Sequence, residues 1–321
     1  MEEAILNFAN QFSWEPTIVN KNKLVPTDKF TVCGMGGSHL AAGLLKIDNP
    51  NLDLLIHRDY GLPRVPDYFL RQGLLIISSY SGNTEETISA FQAARKADLQ
   101  VAVITTGGTL FQLAQEAGVP YIRLPITGIQ PRMALGYFYR ALALLLGENA
   151  TYESLGALAR VIKPEDWRER GKTLTKKLAG RTPLIYSSTV NLSLAYNWKI
   201  KFNETGKIPA FHNVFPELNH NEMSGFDRQG GTKELSDKIY PIFLRDDADG
   251  QQIQRRMDLT ADLYINRGLP VEVIKLVGSN TLEKIFNSLL LAEWTAYYTA
   301  KHYGVEPEPV VMTEEFKWKL K

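Results

Sequence analysis

The chain has 321 residues, 44% hydrophobic and 22% charged, which is the balance of a packed globule long enough for two domains. Lysine and arginine number 36 against 35 aspartates and glutamates, a net charge of +1, so no whole-molecule field favours nucleic acid or an anionic membrane. The single cysteine, Cys33, excludes an internal disulfide and a cysteine-rich metal site, and no continuous apolar run approaches the roughly 18 residues of a membrane span.

The first residues, MEEAILNFANQF, form a helix-like stretch that is acidic where a secretion signal would be basic, so a cytoplasmic location is expected. Short β-branched runs then alternate with helical patterns. Strands are predicted at Phe30–Gly34, Leu52–His57, Leu74–Ser79, Val101–Thr106 and Pro120–Leu124. Helices are clearest at Glu85–Lys96, Thr109–Ala117 and Arg132–Leu146. The charged stretch ARVIKPEDWRERGK (Ala159–Lys172) interrupts the pattern and divides the chain into domains at 1–160 and 161–321. Strands resume at Thr182–Ser188, around Lys207–His212, at Lys238–Leu244 and at Pro270–Leu276. Helices accompany them at Leu192–Glu204, Gln251–Asn266 and Leu282–His302. The fold class is therefore α/β, with two doubly wound domains, each a parallel sheet flanked by helices.

The segment GMGGSHLAAGLL (Gly34–Leu45) joins the first strand to a helix, as a dinucleotide-binding turn would. The dinucleotide fingerprint needs a third glycine where His39 stands, and an acidic residue closing the second strand, which ends His57-Arg58-Asp59. No nucleotide or other cofactor is expected. The glycines can serve a tight turn alone, or Gly36, Gly37 and Ser38 can let a ligand approach the backbone. SSYSGNTEET (Ser78–Thr87) says more, because Ser79, Ser81 and Thr84 crowd a helix start at the carboxyl end of a strand. A cap needs one hydroxyl, whereas three, together with the unpaired N–H groups of a helix start, form a phosphate cradle.

In the second half, Glu204 closes a helix, where a carboxylate faces the negative end of the dipole. It is either a base or an exposed glutamate partnered by Lys201 or Lys207. His212, Glu217, His220 and Glu222 invite a metal, but two histidines eight apart match no compact ligand spacing, so no metal is expected. Lys301 ends the last long helix, where it can simply complement the dipole, and Arg132 opens a helix, where a cation opposes it.

GMGGS followed by SYSGNTEET resembles the sugar isomerase (SIS) domain family, which holds phosphosugars on flavodoxin-like sheets. Its regulators carry an added DNA-binding domain. About 30 residues precede the first strand here, too few for one, and no nucleic-acid partner is expected. QPR, NETGKIPA, PELNHNEMSGF and YGVEPEPV, in that order, are similar to one branch, the bifunctional phosphoglucose/phosphomannose isomerases. The resemblance implies Glu204 as catalytic base, His220 and Lys301 as ring-opening groups and Arg132 as stabiliser. It assigns the phosphate to Ser79, Ser81 and Thr84, with Gly36, Gly37 and Ser38 beside the sugar. It further implies a homodimer whose site is completed by the partner's histidine, and a substrate that is a small sugar phosphate. The chemistry expected is aldose–ketose isomerisation through a cis-enediol. The rivals are a non-catalytic phosphosugar sensor, which would not need Glu204, and an SIS enzyme for another sugar phosphate. His39 is bulky for its position. Trp294 would narrow the sugar pocket unless its indole turns into the core, and Thr295 is the expected polar neighbour of the sugar.

Overall fold

The computed structural model describes residues 1–320. Contacts group them into two units, Asn7–Ile162 in one and Met1–Leu6 with the chain from Lys163 onward in the other.

The first unit is built on β1 (Lys29–Gly34), β2 (Asp53–His57), β3 (Leu74–Ser79), β4 (Val101–Thr105) and β5 (Tyr121–Arg123). They form one parallel sheet in the order β2-β1-β3-β4-β5. Every residue of β3 and β4 is buried, as expected for parallel strands covered on both faces, and this is why both read as unbroken apolar runs. One core joins Cys33, Leu75, Ile77 and Val103 to Phe91 and Ala94 of the Glu85–Lys96 helix. Burial pushes the Cys33 thiol up to about 12 and leaves it an inert packing group. The helix expected over Arg132–Leu146 is divided. A 3-10 turn, Pro131–Met133, precedes the helix Leu135–Leu146, so Arg132 belongs to the turn rather than to the helix start.

The second unit has β6 (Thr182–Ser188), β7 (Phe211–Phe215), β8 (Ile239–Arg245) and β9 (Glu272–Lys275), parallel in the order β7-β6-β8-β9. Leu184, Tyr186, Phe215 and Phe243 pack against Met257, Ala261 and Tyr264 of the helix Gln251–Asn266. The strand expected around Lys207–His212 lies instead at Phe211–Phe215. Gly206 presses on the end of the helix Leu192–Glu204, where a Cβ would stand 2.8 Å from the Phe202 carbonyl oxygen. Lys207 then turns the chain through the left-handed region at φ 58°, and only afterwards can the backbone extend.

The chain also forms helices at Asp67–Gln72, Asn149–Val161, Arg168–Leu178 and Val311–Lys319, which the sequence pattern does not predict. The Arg168–Leu178 helix packs closely on the long helix Thr281–His302, and a Cβ on Gly171 would lie 2.6 Å from the Trp294 Cβ. Trp294 is fully buried, and its indole N–H donates to the Pro164 carbonyl at 2.7 Å. Thr295 is not a pocket residue. It too is fully buried, and its hydroxyl donates to the Leu291 carbonyl at 2.7 Å. Trp294 stacks on Tyr298, and the Tyr297 hydroxyl donates to Glu2 at 2.9 Å, so the aromatic run of this helix serves the packing of its own unit.

Candidate active site

Ligands of open parallel sheets bind beyond the carboxyl ends of the strands, and in the first unit three turns meet there. The first is the 3-10 turn Gly36–Ser38 after β1. The second, residues 80–84, links β3 to the helix Glu85–Lys96. The third is Pro131–Met133. Ser38 ties the first to the second, because its hydroxyl accepts the Tyr80 N–H at 2.9 Å and its carbonyl accepts the Ser78 hydroxyl at 2.7 Å. Gly37 lets the first reach the third. A Cβ there would lie 2.5 Å from the Pro131 carbonyl carbon and 2.6 Å from the Arg132 nitrogen. Gly36, Gly37, Ser38 and Arg132 are thus neighbours, and Arg132 is only 1% exposed.

Within the second turn, the Thr84 hydroxyl makes no bond to the N–H groups of the helix it precedes. It sits 3.0 Å from the Ser79 hydroxyl oxygen instead. Ser79 also accepts the Gly82 N–H at 3.1 Å, and it is fully buried, so it shapes the turn from beneath. Ser81 is exposed and accepts the Asn83 N–H at 3.2 Å, while Thr84 is half-buried. Hydroxyls and helix-start amides together suit a doubly charged phosphate.

Sequence reasoning missed what braces this turn. Gly82 lies at φ 69° so close to the next loop that a Cβ would meet the Gly107 carbonyl oxygen at 1.8 Å. The Thr106 hydroxyl donates to the Tyr80 carbonyl at 2.6 Å, and the Thr109 N–H donates to Asn83 Oδ1 at 3.0 Å. The only sequence signal was the TTGGT run at Thr105–Thr109. His39, under the first turn, is held down at about 4 by burial first and the Arg58 charge second, against a hydrogen bond with Gly36, and is therefore neutral at pH 7.

Glu204, His220 and Lys301 lie in the second unit on three separate elements. Glu204 is the last residue of the helix Leu192–Glu204 and is half-buried. Lys207 donates to its main-chain carbonyl at 2.5 Å. Lys201 is engaged elsewhere, in a buried ion pair with Glu293. Lys301 stands exposed in the last turn of the helix Thr281–His302, its Nζ 5.9 Å from the Tyr297 ring centre. His220 is exposed at the end of the 3-10 turn Glu217–His220. Its neighbours pin that turn. Asn219 donates to the Thr260 hydroxyl at 2.8 Å, Asn221 donates to Glu217 at 2.7 Å, and Glu222 accepts from Tyr186 and Asn213. Among the described residues no group of three or more His, Cys, Asp or Glu side chains is placed to hold a metal ion.

The second sheet repeats the strand order around its first strand, so the end of β8 corresponds to the end of β3. There the turn between β8 and the helix Gln251–Asn266 carries Asp246, Asp247 and Asp249 in place of hydroxyls. Asp246 accepts from Lys284 at 2.6 Å, and Asp247 pairs with Lys275 at 2.6 Å. Asp249 is buried, which pushes its carboxyl up. Like charge opposes an anion at this helix start, and among the described residues the hydroxyl-lined turn of this kind follows β3 of the first sheet.

Residues 168–320 match the bacterial phospho-glucose isomerase C-terminal SIS domain. The chain is similar to the bifunctional phosphoglucose/phosphomannose isomerase of Caldicellulosiruptor bescii, 34% identical over 100% of this chain and 98% of the relative. It is also similar to the protein of that name from Aquifex aeolicus, 32% identical over 100% of this chain and 99% of the relative. The crystal structure of tagatose-6-phosphate ketose/aldose isomerase from Escherichia coli superposes with a TM-score of 0.67 at 16% identity, covering 95% of this chain and 93% of that one, a likeness of fold.

Proposed function

The chain belongs to the bifunctional phosphoglucose/phosphomannose isomerase family, and we propose that it interconverts glucose 6-phosphate and mannose 6-phosphate with fructose 6-phosphate. The observation that carries this reading is the convergence of the Gly36–Ser38, Ser79–Thr84 and Pro131–Met133 turns at the carboxyl ends of β1 and β3. The phosphate is anchored by the hydroxyls of Ser81 and Thr84 and the amides of the following helix start, with Ser79 holding the turn in shape. His220 and Lys301 open the sugar ring by moving a proton between the ring oxygen and the anomeric hydroxyl. The Glu204 carboxylate takes the proton from C2 of the open aldose and returns it to C1, and the reverse traffic makes the aldose. Arg132 balances the charge that develops on the enediolate oxygens. Proton transfer of this kind changes no overall oxidation state and calls for no redox cofactor.

The sugar lies along Gly36, Gly37 and Ser38. Glucose and mannose phosphates differ at C2 alone, and that difference vanishes in the shared enediol, so both are reached if the C2–C3 bond can rotate before Glu204. The burial of Trp294 supports this, since its indole is spent on the Pro164 carbonyl. The enzyme acts in the cytoplasm as a homodimer in which His220 completes the partner's site, and the exposure of His220 supports that arrangement. Among the described residues no helix is long and apolar enough to cross a membrane. The test is to supply fructose 6-phosphate and follow both aldose phosphates. Their appearance at comparable kcat/KM is expected. A thousandfold deficit in mannose 6-phosphate would reduce the activity to the glucose arm, and neither product would leave a phosphosugar-binding protein.

A further inference from the structure

We propose that Glu293 and Thr205 act together as positioning residues for Glu204, an inference that rests on Glu204 being the base. Glu293 lies in the body of the helix Thr281–His302 and is 3% exposed. One of its carboxylate oxygens pairs with Lys201, itself 3% exposed, and the other accepts the Thr205 hydroxyl at 3.2 Å. Lys201 stands one helical turn before Glu204, and Thr205 follows it directly. A single buried carboxylate therefore clasps the chain on both sides of Glu204.

The position matters because a helix end is where backbone bonds run out and fraying begins. Here the Lys201 carbonyl accepts both the Thr205 and the Gly206 N–H, at 2.9 and 3.0 Å, and beyond it the regular ladder gives way to turn bonds, the Phe202 carbonyl accepting the Ile208 N–H at 3.2 Å and the Glu204 carbonyl accepting Lys207 Nζ. Docking of the helix on its neighbour is secured a turn earlier, where the Trp198 indole donates to the Ser288 hydroxyl at 2.9 Å. The ion pair is not needed for that. A well-packed apolar pair would serve stability as well or better, since desolvating two charges costs about what their attraction returns. What an apolar pair cannot do is hold the Thr205 hydroxyl in a fixed direction. The clasp fixes the terminal turn, and with it the azimuth from which the Glu204 side chain leaves the helix.

The experiment compares Thr205→Val, Thr205→Ser and the paired replacement Lys201→Met/Glu293→Leu in the full chain, with fructose 6-phosphate as substrate. Thr205→Val keeps the shape and deletes the hydroxyl. We expect kcat to fall about tenfold with KM within about twofold, the mark of a misdirected base rather than a damaged binding site. Thr205→Ser restores the rate. The paired replacement loses kcat at least as strongly, while its thermal midpoint falls by no more than one unpaired buried hydroxyl accounts for. In a Glu204→Gln background, Thr205→Val causes no further loss, because its only route to the rate is through Glu204. The proposal is overturned if Thr205→Val leaves kcat unchanged, if its effect persists in full in the Glu204→Gln background, or if Thr205→Ser fails to rescue. Should Glu204→Gln itself keep wild-type kcat, the assignment of the base fails and the clasp falls with it. A large loss in Glu204→Gln beside a silent Thr205→Val refutes the clasp alone. If the paired replacement does not fold, the two Thr205 variants decide the question.

Discussion

Gly37→Ala tests whether the turn after β1 must touch the turn that carries Arg132. The added Cβ would lie 2.5 Å from the Pro131 carbonyl carbon, 2.6 Å from the Arg132 nitrogen and 2.8 Å from the Pro131 oxygen, where ordinary contact begins at 3.4 Å. All three are backbone atoms, so no side-chain tip can swing aside, and the turns must part by about 1 Å. Overpacking of this kind costs about 1–3 kcal/mol. Displacing a group by 1 Å at a reacting centre costs about 10² in rate. Gly37→Ala should therefore fold with a lowered urea midpoint for the first unit, while kcat on fructose 6-phosphate drops on the order of 10² through the displaced Arg132. Gly147→Ala is the control. Unlike Gly37, Gly147 has a left-handed φ, 73°, but its Cβ would meet nothing within 4 Å, so stability suffers and the kinetics do not. Wild-type kinetics in Gly37→Ala, or an equal rate loss in Gly147→Ala, would refute the reasoning.

Thr84→Ala removes a hydroxyl from a charged ligand and should weaken sugar-phosphate binding by about 1.5–3 kcal/mol, and Ser79→Ala should act likewise by slackening the turn, both read as a rise in KM larger than the fall in kcat. An unchanged KM in both would place the phosphate elsewhere. The His39 imidazole, at about 4 in the folded chain against 6.5 for a free one, binds its proton more readily once unfolded. The contribution of neutral His39 is thus complete above pH 6.5 and is lost as pH falls towards 4, by about 3 kcal/mol in all. Urea midpoints of wild type and His39→Gln at pH 7 and pH 4.5 check this, and an equal pH dependence in the two would contradict it. Mixing inactive Glu204→Gln and His220→Ala subunits should restore part of the activity through hybrid dimers, and no recovery after verified subunit exchange would put both residues in one chain's site.

The first sheet was legible because β1, β3 and β4 are buried on both faces, which leaves apolar runs bounded by glycine and serine. β7 was misplaced for the opposite reason. Its residues are mostly half-exposed, with His212 and Asn213 in the middle, so they carry no period-2 signal. The hydroxyls of the turn after β3 could be picked out by type and spacing, but not how they are placed within it. That Ser79 lies beneath and Thr84 turns away from its own helix depends on the fold of residues 79–84. The ties from Ser38 to Tyr80 and from Gly37 to Pro131 join segments about 40 and 90 residues apart, and nothing local in the sequence encodes them. Thr295 shows the same limit. A polar residue six positions before Lys301 on the same helix looks available, yet its hydroxyl is consumed by the Leu291 carbonyl.

In the proposed reaction Glu204 moves a proton at C2 of a sugar phosphate. Incubating the protein with glucose 6-phosphate in heavy water, and reading deuterium at C2 of the recovered aldose by proton NMR, tests it directly. Wild type should incorporate deuterium at C2 of both glucose and mannose phosphates, with or without a chelator, and Glu204→Gln should lower the exchange by roughly 10²–10⁴ while still binding the substrate. Exchange at the wild-type rate in Glu204→Gln would contradict the account, and so would isomerisation by wild type without any solvent deuterium at C2.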